Sequence, residues 1–224
     1  MGQSRAAFAA AVCILLAGCS STGNAAPPEP EPTLKPRPVV ETEMDGLLLS
    51  PEEASATMRA PMVPTESKAV MSDNSAIMAP PECLAIDGAA EAVVYANRKI
   101  RAEREQSLNN GNAFTNYLKQ AVVLFWYSKP AAEFFESSVQ QWPACHQYTH
   151  TQSGSEWVVG EITNRNGTLS TVATQQEAAA PGWACGRALS LRNNVIIDVN
   201  TCSADPGDSA VRIAEQIGAK VLDR

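Results

Sequence analysis

The placement of cysteine constrains what this chain can fold into more than any other feature. The 224 residues hold six cysteines. Two of them, Cys13 and Cys19, lie in a segment that reads as a bacterial lipoprotein signal. Arg5 precedes an apolar run from Ala6 to Leu16, too short to span a bilayer but the length of a signal-peptide core. Leu16-Ala17-Gly18-Cys19 then places small residues before a cysteine, as lipidation at Cys19 requires. Cleavage is expected to remove residues 1–18 and Cys13 with them, leaving Cys19 to carry acyl chains such as palmitate. Cys83, Cys145, Cys185 and Cys202 remain, an even set in an oxidising compartment, so two disulfides are expected.

Four cysteines allow three pairings, and one hairpin chooses among them. Asn193-Asn194 reads as a two-residue turn, because asparagine tolerates the positive φ such turns need. Arg192 then faces Val195, and counting outward in step brings Cys185 opposite Cys202. Hydrogen-bonded and non-hydrogen-bonded pairs alternate along the ladder. That parity puts the two cysteines at a non-hydrogen-bonded pair, where Cα atoms approach to about 4.5 Å. Cys83 and Cys145 pair by elimination.

The rest of the chain divides into a tether and a domain. Residues 19–45 are rich in proline, with Ala25-Ala26-Pro27-Pro28-Glu29-Pro30-Glu31-Pro32 at their centre. Such a segment favours extended polyproline conformations and reaches roughly 80 Å at about 3.1 Å per residue. Residues 46–224 are long enough for one domain with its own core. The formal charge is −7, or −8 once Arg5 is lost, which offers no electrostatic footprint for nucleic acid. No second apolar stretch reaches transmembrane length, so Cys19 is expected to anchor the protein at the outer face of the cytoplasmic membrane.

Within the domain, Ser50-Pro51-Glu52-Glu53 forms a capping box for a helix to about Met58. Residues 60–78 look irregular. A helix is expected from Asp87 through Val93 and Tyr95, and residues 98–106 are ambiguous between helix and strand. Residues 113–127 read as a strand covered on both faces, since Ala121-Val122-Val123-Leu124-Phe125 is continuously apolar. Ala131, Phe134, Phe135 and Val139 make one stripe of a helix that ends near Trp142-Pro143. Strands follow near 147–152 and 156–164, then a hairpin at Asn166-Gly167 into 168–175. A last helix from about Asp208 carries Ala210, Ile213, Ala214, Ile217 and Val221 on one face. The expected fold class is α+β, a single domain of antiparallel hairpins packed by helices and stapled by two disulfides.

Several segments occur in an order that resembles a known family. They are Leu48-Leu49-Ser50-Pro51-Glu52-Glu53, Pro81-Glu82-Cys83, Gln120-Ala121-Val122-Val123-Leu124-Phe125, Ala132-Glu133-Phe134-Phe135 and Trp142-Pro143-Ala144-Cys145. Gly182-Trp183-Ala184-Cys185, Arg192-Asn193-Asn194-Val195 and Ile213-Ala214-Glu215-Gln216-Ile217 follow. Residues 46–224 thus resemble the PknH-type extracellular sensor domains of mycobacteria and their stand-alone lipoprotein relatives. The resemblance implies a compact α+β domain with disulfides in first–second and third–fourth order, and a cleft for an unidentified ligand. The charged stretch from Ala96 to Arg104 departs from that pattern.

Chemical motifs are few. His146 and His150 would face one side of a strand, but a metal site needs further ligands and Cys145 is expected to be oxidised, so no metal or other cofactor is expected. No Gly-x-Ser-x-Gly elbow, Ser-x-x-Lys motif or phosphate-cradling glycine loop occurs, and no catalytic residue is assigned. On the derived hairpin Arg187 opposes Asn200 and lies diagonal to Asp198. This pair is either a solvated cross-strand ion pair or part of a cleft walled by Trp183. Trp126, Tyr127 and Trp157 are further candidates for a pocket wall, or else core. Arg98, Lys99, Arg101 and Arg104, interleaved by Glu103 and Glu105, read as a solvated face or else as a contact for anionic lipid or glycan. Two functions follow. One is capture of a small-molecule, lipid or glycan ligand, with Arg187, Trp183, Asp198, Asn200 and Trp126 as contacts. The other is interaction with a membrane kinase or another envelope protein.

Overall fold

The computed structural model describes residues 37–68 and 70–222. The signal segment, Cys19 and the tether up to residue 36 lie outside them. Ten strands among the described residues form one antiparallel sheet. They are β1 (Val63–Lys68), β2 (Met78–Ala79), β3 (Ile100–Asn109), β4 (Tyr117–Phe125), β5 (Gln147–His150), β6 (Ser155–Val159), β7 (Thr163–Arg165), β8 (Thr168–Gln175), β9 (Ala184–Arg192) and β10 (Val195–Ser203). Their order is β1-β3-β4-β10-β9-β8-β6-β5-β2, with β7 paired to β8.

Helices cover both faces of the centre. On one side lie α1 (Pro51–Met58) and α5 (Ser209–Leu222). Their Ala54, Met58, Ile213 and Ile217 pack on Val122, Leu124, Ile197 and Val199. On the other side lie α2 (Leu84–Asp87), α3 (Ala92–Tyr95) and α4 (Ser128–Gln141). Leu84, Tyr95, Phe134 and Phe135 there meet Ala121, Val123, Phe125 and Ile196. The two-residue period of a strand therefore sends alternate members of the 121–125 run into opposite cores, which is why that run is apolar throughout. Gln120 is the polar exception. Its side-chain amide accepts from Leu49 N at 2.9 Å and donates to Leu49 O at 2.9 Å, standing in for a neighbouring strand.

The hairpin register is as the cysteines require: Arg192 pairs with Val195 and Cys185 with Cys202. The Cys185–Cys202 disulfide closes across a Cα separation of 4.1 Å, and Cys83–Cys145 across 5.1 Å. In the turn, only Asn193 of the two asparagines takes positive φ, at 53°. Asn194 acts through its side chain, accepting from Val39 N at 2.8 Å and donating to Phe125 O at 2.8 Å. Asn166 and Gly167 both take positive φ, as a type I′ hairpin demands.

Four local expectations are corrected. Residues 39–45, placed in the tether, belong to the fold: Val39 is buried, and so is Met44 within a 3₁₀ helix over Glu41–Gly46. Residues 60–78 supply the edge strand β1 and the short β2, because β3 and β5 offer them partners. Of residues 98–106, those from 100 onward are strand, paired along β4. Asp87 ends a helix instead of starting one. Between α2 and α3 the backbone bonds to the sheet: Ala90 N donates to Asp198 Oδ2 at 2.8 Å, while Arg187 Nη2 donates to Ala85 O and Gly88 O at 2.8 and 3.0 Å. Tertiary partners satisfy groups that a continuous helix would have paired internally.

Candidate functional site: an amphipathic cavity over a buried ion pair

The segment between α2 and α3 forms one wall of a cavity of about 350 Å³. Its foundation is the Arg187–Asp198 pair, with Nη1 and Oδ1 2.7 Å apart and both side chains almost wholly buried. Arg187 also donates to Val199 O at 2.7 Å, and its guanidinium lies over the Trp142 ring. Asp198 Oδ2 further accepts from Tyr95 Oη at 2.8 Å. Burial, together with the Asp198 charge, pushes the Tyr95 hydroxyl well above the ordinary phenol range, so it stays a donor. The pair is thus buried, not solvated, and neither residue lines this cavity. It straps residues 85–90 to the sheet and so positions the residues that line the cavity.

Those lining residues come from several elements. Asp87, Gly88 and Glu91 flank the strap, Lys119 rises from β4, and His150 and Trp157 come from β5 and β6. Asn200 and the Cys185–Cys202 disulfide line the cavity from β9 and β10, and Phe114, Tyr117 and Trp183 form an aromatic side. Each charged group has a partner within the protein. His150 Nε2 is 2.7 Å from Asp87 Oδ1, and that bond raises the histidine above its ordinary value. Lys119 Nζ lies 3.3 Å from Glu105 Oε2 and donates to Ser72 Oγ at 3.1 Å. Glu91 accepts from Asn74 N at 2.9 Å and from Asn74 Nδ2 at 2.7 Å, and burial pushes its carboxyl up.

Of the contacts expected from the sequence, Trp183 and Asn200 line the cavity, while Arg187 and Asp198 support it from beneath. Trp126 does not line it. That ring is half exposed and stacks under Arg101, with 4.8 Å from guanidinium to ring centroid. The basic stretch is drawn to acids of the 3₁₀ helix: Arg104 bonds Asp45 at 2.9 Å and Arg101 lies 3.7 Å from Glu41. His146 is exposed and apart from His150's bonding, and no group of side chains able to hold a metal occurs among the described residues. Sequence reasoning missed Asp87, Glu91, Lys119 and Phe114. One signal was legible: Lys119 and Gln120 are polar residues at the head of an otherwise apolar strand.

A disulfide-stapled α+β domain with a lined cavity is a build suited to an oxidising compartment outside the cytoplasm. A family model for the PknH-like extracellular domain matches residues 39–220, and the chain belongs to that family. Serine/threonine-protein kinase PknH of Mycobacterium tuberculosis is 30% identical over 225 residues, covering 98% of this chain and 35% of the kinase. The Mycobacterium bovis kinase of the same name matches equally, over 36% of its length. The chain thus spans about a third of the length of these relatives. The crystal structure of the extracellular domain of PknH from M. tuberculosis superposes with a TM-score of 0.78 at 28% identity, covering 84% of this chain and 99% of that one.

Proposed function

We propose that this protein is a lipid-anchored component of the cell envelope whose sensor-like domain captures a small ligand in the cavity beneath Trp183. The observation that carries the reading is the combination in one cavity of aromatic rings and paired polar groups, the make-up of small-molecule sites. The cavity's volume falls within the range such sites occupy, roughly 300–1,000 Å³. The buried strap supports it too, because a preformed wall lowers the ordering cost of binding. Anchoring is through Cys19, with residues 19–36 as spacer. No helix among the described residues is long and apolar enough to cross a membrane.

Native mass spectrometry of the protein purified from its own host's envelope tests ligand capture. A reproducible added mass that denaturation releases, and that Trp183→Ala diminishes, is expected. A clean unliganded mass overturns capture and favours the second reading, an interaction module for a membrane kinase or other envelope partner. That second reading draws on the exposed Trp126 and Tyr127, which stand side by side at the end of β4. The anchor is tested separately: Cys19→Ser should shift the protein from the membrane fraction to the soluble one.

A further inference from the structure

Two of the cavity's aromatic rings also line a second space. This groove, of about 300 Å³, adjoins the cavity and is lined by Thr115, Gln175, four alanines (Ala178, Ala179, Ala180 and Ala204) and the same Phe114 and Trp183. The two rings stand 6.3 Å apart between centroids and serve both spaces. The chambers differ sharply in chemistry. The outer groove has no charged lining residue, and four alanines make up half of its wall. The inner cavity presents hydroxyls, amides and carboxylates.

The inner charged groups are also already engaged within the protein. Asp87 is paired with His150, Lys119 with Glu105, and Glu91 receives two bonds from Asn74. An anionic group approaching Lys119 or His150, or a cationic one approaching Asp87, would have to compete with an ion pair already formed, and Glu91 is held by two bonds from a neutral amide. A neutral group that both donates and accepts hydrogen bonds can join these networks intact and lay an apolar face on a ring.

We propose that the ligand is a neutral amphiphile of the alkyl glycoside or glycolipid type, its sugar-like head in the inner cavity and its hydrocarbon chain in the alanine-lined groove. The proposal rests on the ligand-capture reading and narrows it to one chemical class. The chain is the single occupant assigned to the groove, because the groove has no charged lining residue and shares the Phe114 and Trp183 rings with the cavity that would take the head.

The test is calorimetric titration of the full chain carrying Cys19→Ser, which keeps it unlipidated, with octyl glucoside, glucose and octyl sulfate below their micelle concentrations. Octyl glucoside should saturate one site at least about tenfold more tightly than glucose, since each buried methylene adds to affinity. Octyl sulfate should bind more weakly than octyl glucoside. Ala179→Glu, at an exposed position on the groove, should narrow the gap between octyl glucoside and glucose. Equal affinity for glucose and octyl glucoside overturns the chain's place in the groove. Equal or tighter binding of octyl sulfate overturns the neutral head. Failure of all three probes overturns the amphiphile. If the host-purified protein then still carries a releasable mass, ligand capture survives; if it carries none, both readings fall together.

Discussion

Replacing Arg187 with methionine should destabilise the domain by about 3–5 kcal/mol, the range for removing one partner of a buried ion pair. The structure sets the sign and the scale. Methionine keeps much of the side-chain volume but removes the Nη1 contact to Asp198 and the bonds to Val199 O, Ala85 O and Gly88 O. Asp198 is then left almost fully buried without its cation, and the strapped segment loses two of its anchors to the sheet. Asp198 keeps its bonds from Ala90 N and Tyr95 Oη, which argues against a loss beyond that range. For a domain of this size each kcal/mol moves the melting temperature by about 2–4 °C, so Tm should fall by roughly 6–20 °C. Urea denaturation with the disulfides intact measures the free energy, and differential scanning calorimetry the Tm. Arg187→Met with Asp198→Leu should recover part of the loss, because no uncompensated charge remains. A loss below about 1 kcal/mol for the single variant, the range of exposed pairs, would refute the buried-strap reasoning.

Two other predictions concern stability. Removing Cys83–Cys145 by paired serine substitutions should cost about 4 kcal/mol and removing Cys185–Cys202 about 3, because the loop closed by the first is longer. Urea titration of the two variants should reproduce that order, and the reverse order would count against the loop-entropy account. The third concerns pH. Glu91 is raised by burial from 4.5, and His150 by its Asp87 bond from 6.5, so the folded protein holds both protons more tightly than the unfolded chain. Each group's stabilisation is full below its unfolded value and is lost as pH rises through its folded value. Tm should therefore decline from about pH 4.5 upward and again above about pH 6.5, the second step being shallow because His150 is partly solvated. Glu91→Gln should flatten the lower step and His150→Asn the upper, and a wild-type profile flat across both windows would sink the argument.

Much of this fold was legible because its rules are local or periodic. The Asn193-Asn194 turn and a strict count along two strands were enough to pair Cys185 with Cys202. The 3.6-residue stripe of α5 marked the face it buries, and the capping box at Ser50 and Glu53 marked where α1 begins. The Arg187–Asp198 pairing followed from the same hairpin geometry. Its environment did not, since burial depends on what packs over the strand. Trp142 and the 85–90 segment lie over Arg187, and both are far from it in sequence. The break at Gly88 was hidden for the same reason: its backbone partners come from β9 and β10, and helix propensity yields to them. The strand nature of residues 100–106 required β4 as a neighbour.

The cavity was beyond sequence reasoning because its walls come from six strands, α2 and four connecting segments, none of which carries a motif. Glu91 and Asn74, Asp87 and His150, and Lys119 and Glu105 meet only through the tertiary fold. What the sequence determined by itself is what short-range geometry and composition control: the hairpin register, the disulfide frame and the amphipathic helices. What the tertiary structure decided is which polar side chains are buried and which of them share a wall, because desolvation and long-range pairing depend on the whole packed chain.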